Sequence, residues 1–112
     1  MAFTVTSDEK NGIARLTLVG ELDASAANDF RTAIEEAAGL RPKRLVLMMG
    51  GLTFMASAGL RTLVFAKQKM GANVDIYVIA VQEPVRETLE MTGFQHSVIM
   101  LDAYDAAEIE DL

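Results

Sequence analysis

The sequence predicts an α/β protein: a mixed β-sheet, formed by an N-terminal hairpin plus parallel strands, with helices packed on it. Three observations lead to this fold. An Asn11-Gly12 turn signal separates two segments of strand character. Continuous apolar runs at 45–49 and 76–81 are typical of strands buried in a sheet. Segments of helical period follow these runs, so the predicted order is β-β-α-β-α-β-α-β-α within one domain, residues 1–112.

The first two strands are predicted to pair as a hairpin. Residues 3–6 alternate apolar and polar side chains, as a half-buried strand does. Apolar side chains at every second position line one face of the second strand, namely Ala14, Leu16 and Leu18. We expect this strand to end at Gly20, after which repeated strand–helix units give the parallel part of the sheet.

A helix and a central strand come next. Asp23 or Ser25 is expected to cap the helix, and Gly39 to end it. Its apolar stripe has helical spacing: Phe30, Ala33, Ile34 and Ala37. A central strand is then predicted at 44–49. The glycines in MMGGL (48–52) are interpreted as a turn after this strand, because the segment has neither a phosphate-loop lysine nor GxGxxG spacing.

The second half of the chain repeats the alternation of helix and strand. Helices are predicted from Ser57 to Met70 and from Pro84 to Thr92, followed by strands at 76–81 and 98–101 respectively. A short terminal helix is expected to be capped by Asp102 and to carry Ala106 and Ile109. The side chains expected to face inward are Leu60, Leu63 and Val64 in the first of these helices and Val85 and Leu89 in the second, with Thr88 and Thr92 as further candidates.

Composition and charge argue against several functions. The formal net charge is −6, whereas binding nucleic acid or an anionic membrane requires clustered Lys and Arg. The chain has no Cys, which removes disulfides, thiol nucleophiles and Cys-ligated metals. The longest uncharged run is 16 residues, at 45–60, and a bilayer span needs about 20. With no signal-peptide pattern at the start, we expect a cytoplasmic protein that neither inserts into membranes nor requires a cofactor.

The sequence gives no positive case for an enzyme. His96 is the only histidine, and no metal-ligand partners stand at suitable spacing. A Ser-His-Asp arrangement could use Ser57 or Ser97 as nucleophile, but nothing in the sequence places a base and an orienting acid beside either one. The acidic residues are scattered along predicted solvent faces, so no pair of carboxylates for acid–base catalysis stands out.

The segment FMASAGLR (54–61) places one hydroxyl between very small residues where a strand gives way to a helix. Ser57 could be a helix N-cap, which is worth about 1 kcal/mol over Ala. It could also be a phosphate acceptor, because Ala56, Ala58 and Gly59 leave the hydroxyl unshielded and let another protein's backbone approach. A helix N-terminus also favours an added phosphate. The residues alone leave both interpretations open.

GLTFMASAGLRTLV (51–64) resembles the signature segment of the STAS domain, the sulfate-transporter and anti-sigma-factor-antagonist family. That family usually reads apolar-Asp-Ser-Ser-Gly-Leu at this point. GELD at 20–23 is similar to a second family segment, and the element order extends the resemblance over nearly the whole chain. It implies a stand-alone anti-sigma factor antagonist. Such a protein binds an anti-sigma factor that is a serine kinase related to histidine-kinase ATPase domains, is released when phosphorylated, and is reset by a phosphatase.

The resemblance also implies site residues. Ser57 matches the phosphorylated serine, Gly59 and Leu60 match the Gly-Leu, and Asp23 matches an acid that lies close to the serine in that fold. The expected partner-binding surface comprises Asp23, Ser57, Ala58, Gly59, Arg61 and Thr62, with Arg61 and Thr62 exposed in the first helical turn.

Three positions depart from the family pattern, since Met49 and Ala56 replace its usual Asp residues and Ala58 replaces its second Ser. These departures keep an alternative open: a non-switching interaction subunit, such as a scaffold component or the small cytoplasmic subunit of a lipid or anion transporter.

Overall fold

A computed structural model describes residues 2–111 and confirms the predicted order of strands and helices. A 3₁₀ turn at Phe94–Ser97, before the last strand, is the element that the sequence did not predict. The elements are β1 Thr4–Lys10, β2 Ile13–Leu22, α1 Ala27–Gly39, β3 Arg44–Met55, α2 Ser57–Met70, β4 Asp75–Ile79, α3 Glu83–Thr92, β5 Ile99–Leu101 and α4 Ala106–Ile109.

The five strands form one mixed sheet in the order β1-β2-β3-β4-β5. β1 and β2 pair antiparallel through the predicted turn, where Asn11 (φ 54°) and Gly12 (φ 83°) both take left-handed conformations. The remaining pairs are parallel. Each new parallel strand is added on the same side of the previous one, so right-handed crossovers place α1, α2 and α3 on one face of the sheet.

The main core lies between the sheet and these three helices. The predicted stripe of α1 is buried there, together with Leu63 of α2 and both Val85 and Leu89 of α3. A smaller apolar cluster on the opposite face contains Val46, Tyr77 and Ile109, so the C-terminal segment with α4 covers that face. The two faces of the sheet are therefore covered very differently: three full helices on one, a short segment on the other.

Three predicted strand ends were wrong. The strand predicted at 76–81 ends at Ile79, whereas β2 and β3 continue to pair beyond the rest of the sheet. β2 does not stop at Gly20 but runs to Leu22, and β3 runs to Met55 rather than ending at position 49. The glycines interpreted as a turn lie inside β3. Gly20 (φ 97°) is required within its strand, since a Cβ there would collide with the carbonyl group of Ala2.

Five predictions about the ends or buried faces of the helices were also wrong. α1 begins after Ala26 without a side-chain cap, and Gly39 lies within α1. Asp105, not Asp102, caps α4 by accepting the N–H of Glu108 at 3.3 Å. The last two are side chains that point outward: Val64, 40% exposed, and Thr92, which is also exposed.

Two features that bear on function are not found within residues 2–111. No helix in that range combines the length and apolar character needed to cross a membrane. No three His, Asp or Glu side chains of the described chain are grouped so that they could hold a metal ion.

Candidate functional site

The ends of β2 and β3 bring Asp23 and Ser57 to the same edge of the sheet. Leu22 and Met55 are paired in register, and the N–H of Ala56 donates to the carbonyl of Leu22 at 2.9 Å. Because the two strands are parallel, the residues that follow them lie side by side. This pairing places the start of α2 directly beside the loop that leads into α1.

Two β-bulges shape the last part of β3. At each of two register shifts, β3 contributes one residue more than β2. As a result, the buried side chains of β3 fall at every third position rather than every second: Met49, Leu52 and Met55. The side chains between them face solvent, including Phe54, which is 45% exposed. The bulges therefore turn an aromatic side chain outward three residues before Ser57.

Ser57 is the first residue of α2 and not its N-cap, so the capping interpretation was wrong. Ala56 occupies the N-cap position (φ −79°, ψ 170°), because its N–H continues the sheet pairing with Leu22, and no side chain caps the helix. Ser57 is exposed, and its hydroxyl makes no hydrogen bond with residues 2–111. A free hydroxyl is thus presented at the edge of the sheet.

Asp23 is held by a local turn. One carboxylate oxygen accepts the Ser25 hydroxyl at 2.7 Å and the Ala26 N–H at 3.0 Å. These hydrogen bonds, that of Ser25 first, favour the ionised form and lower the pKa of Asp23 below its ordinary value. The side chain therefore stays negatively charged at neutral pH and remains exposed beside the start of α2.

Gly59 and Thr62 face the protein rather than solvent. A Cβ on Gly59 would lie 2.8 Å from Cγ of Leu22 and 3.0 Å from Cγ of Met55, so a glycine is needed for α2 to approach the strands this closely. Thr62 is only 7% exposed, and its hydroxyl donates to the carbonyl of Ala58 at 2.9 Å. The expectation that Thr62 is exposed was therefore wrong, whereas Arg61 is exposed as expected.

The outward side of α2 carries a row of exposed residues that starts at Ser57. Arg61 and Val64 follow it at spacings of four and seven, which places all three on one helical face. Val64 is 40% exposed and Phe54 45%. We call Ser57, Arg61 and Val64 the Ser57 face; Phe54 directly precedes the buried Met55 in β3 and therefore points to the opposite side of the sheet. Sequence reasoning missed Phe54 and Val64, since Val64 fits the apolar spacing of a buried stripe and nothing in the sequence marks the bulges.

The topology separates Ser57 from the only histidine. Ser57 follows β3 at the carboxyl edge of the parallel strands, whereas His96 and Ser97 precede β5 at the amino edge. The sheet thus stands between Ser57 and His96, and the Ser57–His96 pair that a hydrolytic triad would need does not form.

Comparison with known proteins gives one consistent result. A family model for the STAS domain matches residues 4–107. The anti-sigma-F factor antagonist RsfB of Mycobacterium tuberculosis is 32% identical over 92 residues, which is 82% of this chain and 75% of RsfB.

Two solved structures share the fold. An anti-sigma factor antagonist from Mycobacterium paratuberculosis has a TM-score of 0.89 at 22% identity, covering 98% of this chain and 96% of that one. The phosphorylated form of the Bacillus cell fate determinant SpoIIAA has a TM-score of 0.72 at 20% identity, covering 97% of each chain.

Proposed function

This chain belongs to the STAS domain family, and we propose that it is an anti-sigma factor antagonist that is switched by phosphorylation of Ser57. The relative RsfB is named an anti-sigma-F factor antagonist. The observation that carries the proposal is the free, exposed hydroxyl of Ser57 at the junction of β3 and α2. In this function the chain binds an anti-sigma factor and thereby frees the sigma factor.

The unmodified serine suits a close contact with a partner. Ala56 and Ala58 are half-buried and small, so a partner's backbone can approach the start of α2. Beside them, Asp23 and Arg61 offer a carboxylate and a guanidinium. The proposed surface is therefore the Ser57 face together with Asp23 and Ala58, while Gly59 and Thr62 support it from beneath.

The proposed partner is an anti-sigma factor that is also a serine kinase of the histidine-kinase ATPase type. Ser57 Oγ forms a bond with the γ-phosphorus of ATP, the bond from that phosphorus to ADP breaks, and the hydroxyl proton passes to a base of the kinase. The product carries about −1.5 to −2 added charges at a contact that must be dehydrated. The complex then dissociates, and a phosphatase hydrolyses the phosphoserine to restore the binding form.

Phosphorylation is expected to leave the fold intact. With Ala56 directly before Ser57, the chain avoids a like-charge repulsion of roughly 1–3 kcal/mol that an Asp about 5 Å away would cause. The N-terminus of α2 attracts the phosphate by about 0.3–1 kcal/mol. Asp23, exposed nearby, opposes part of this attraction. The switch therefore acts on the contact with the partner and not on the stability of the domain.

A non-switching interaction subunit is the second candidate. It is favoured by the side chains that replace the family's usual acids and second serine: Met49 is fully buried in the core, and Ala56 and Ala58 carry no polar group. Such a subunit would use the same surface, as part of a scaffold or of a transporter's cytoplasmic assembly, without modification of Ser57.

Titrations with a matched charge control separate the two candidates. The partner kinase, isolated from the native cytoplasm with the wild-type chain, is titrated with wild type, Ser57→Asp and Ser97→Asp. Ser97 is also exposed but lies at the opposite edge of the sheet. We expect at least tenfold weaker binding for Ser57→Asp, unchanged binding for Ser97→Asp, and similar thermal midpoints for all three. Equal affinities for wild type and Ser57→Asp would rule out the switch and favour the non-switching subunit.

A further inference from the structure

We propose that Arg61 is the intramolecular partner of phosphoserine 57, so that phosphorylation adds negative charge to the surface and at the same time withdraws a positive charge from it. This inference rests on the proposed function for the occurrence of the modification. It assigns to Arg61 a role in the switch that the position of Ser57 alone does not imply.

The first support is geometric. Ser57 and Arg61 are four residues apart in α2, and both are exposed. Residues at this spacing are neighbours on a helix surface, with Cβ atoms about 5–6 Å apart. Long side chains in helices lean toward the N-terminus, which directs the guanidinium of Arg61 toward position 57. An acid placed N-terminal to a base at this spacing is also the more favourable order.

The second support is that Arg61 is unengaged. Within residues 2–111 it takes part in no ion pair, hydrogen bond or ring contact. Other arginines are engaged: Arg15 pairs with Asp8 at 3.1 Å, Arg31 lies 4.0 Å from the ring centroid of Phe65, and Arg44 binds the C-terminal segment. The first turn of α2 contains no acidic residue. A phosphate at Ser57 would therefore meet a guanidinium with no competing internal anion on its own helical turn.

The third support is the charge on the other side of the serine. Asp23 follows β2, whose last residue is paired with the end of β3, and its ionised carboxylate is held in place by Ser25 and Ala26. A phosphate on Ser57 would thus have a fixed anion nearby at the end of β2 and an unengaged cation one turn along α2. Repulsion from one and attraction to the other both direct the phosphate toward Arg61.

In a chain of net charge −6, Arg61 is the cation of the Ser57 face. A partner that places a carboxylate opposite it gains a charge-assisted contact while Ser57 is unmodified. Once the phosphate engages the guanidinium, that contact is lost in addition to the repulsion by the phosphate itself. The inferred partner surface is therefore acidic opposite Arg61 and apolar opposite Val64.

The test uses full-length chains in which phosphoserine is incorporated at position 57 during translation, so it does not depend on any kinase. Wild type, Arg61→Gln and Lys69→Gln are compared by ³¹P NMR titration. Lys69→Gln removes the same charge from an exposed position of α2. This position lies about 18 Å from position 57 along the helix axis, which is beyond the distance of about 8–10 Å over which salt screens charges. The second pKa of the phosphate, ordinarily near 6, is expected to be lower in wild type than in Arg61→Gln by about 0.2–0.4. Lys69→Gln should match wild type, and equal values in all three chains would overturn the proposal.

Binding to the kinase gives a second, separable result. Arg61→Gln is expected to weaken binding of the unmodified chain. It is also expected to reduce the factor by which phosphoserine 57 lowers the affinity for the kinase. If phosphoserine 57 lowered the affinity by the same factor in Arg61→Gln as in wild type, withdrawal of Arg61 would contribute nothing to dissociation. That result would contradict the proposal that phosphorylation withdraws Arg61 from the partner. If the kinase bound phosphorylated and unmodified wild type equally, the proposed function would fail while the NMR comparison still decided whether Arg61 engages the phosphate.

Discussion

The two ends of β3 use arginine in opposite ways. At the amino end, the guanidinium of Arg44 donates to the Tyr77 hydroxyl at 3.1 Å and to the carbonyls of Glu108, Ile109 and Asp111 at 2.6, 3.1 and 3.0 Å. Just beyond the carboxyl end, Arg61 makes no such contact with the described chain. The first arginine fixes the C-terminal segment to the sheet, whereas the second remains available to another molecule or to a new charge on its own helix.

Burial shows the same contrast. Ile109, which belongs to the C-terminal segment that Arg44 holds, is 0% exposed, and Tyr77 beside it is 3% exposed. At the other end, Phe54 and Val64 are 45% and 40% exposed. The apolar side chains are thus covered at one end of the strand and open to solvent at the end that carries the free hydroxyl of Ser57. We propose that one end of the strand contributes stability and the other contributes binding.

Replacing Arg44 should have the largest effect on stability. In Arg44→Ala, three carbonyl groups lose a charged donor, and Ile109 is less firmly held over the sheet. We expect a loss of about 2 kcal/mol in the free energy of unfolding, measured by urea denaturation. Lys43→Ala, one residue earlier and exposed, should be close to wild type. Affinity for the kinase should not change, and a loss of affinity without a loss of stability would contradict the division between the two ends.

A substitution at Gly59 should have an intermediate effect. Gly59→Ala places a methyl group 2.8 Å from Leu22, at the fully buried contact that sets how closely α2 approaches β2. Such overpacking typically costs about 1–3 kcal/mol. Gly39→Ala is the matched control, since a Cβ there meets nothing within 4 Å and the helix should gain about 0.5 kcal/mol. Thermal unfolding of both variants measures the difference. If Gly59→Ala were as stable as Gly39→Ala, the close approach of α2 would not be required.

The smallest expected effect concerns the contribution of Asp23 to stability at low pH. Because hydrogen bonding lowers the pKa of Asp23 in the folded state, its contribution to stability is present above the ordinary pKa of about 3.9 and is lost as pH falls through the folded value. Ser25→Ala removes the largest cause of this lowering. Carboxyl ¹³C NMR titration between about pH 5 and pH 2 should show a higher pKa for Asp23 in Ser25→Ala. Ser97→Ala should leave that pKa unchanged, and an unchanged value in Ser25→Ala would show that the hydroxyl does not stabilise the carboxylate.

Much of this molecule is determined locally and was predicted from the sequence. The turn at Asn11-Gly12, the stripe of α1 and the limits of α2 from Ser57 to Met70 depend on conformational preferences and on spacing within a few residues. The two family segments, GELD and FMASAGLR, are also local, and they sufficed to identify the family. Physical preferences of this kind act in the same way wherever the segment lies in a fold.

Tertiary structure decided what the site presents. Ser57 has the residue type of an N-cap, but pairing of Ala56 with Leu22 moves the cap one residue earlier and leaves the hydroxyl free. The bulges in β3 turn Phe54 outward. The close approach at Gly59, with Thr62 buried on the same side of α2, leaves Val64 exposed. Each of these outcomes depends on the register and distance between segments far apart in the chain, and a local pattern contains neither.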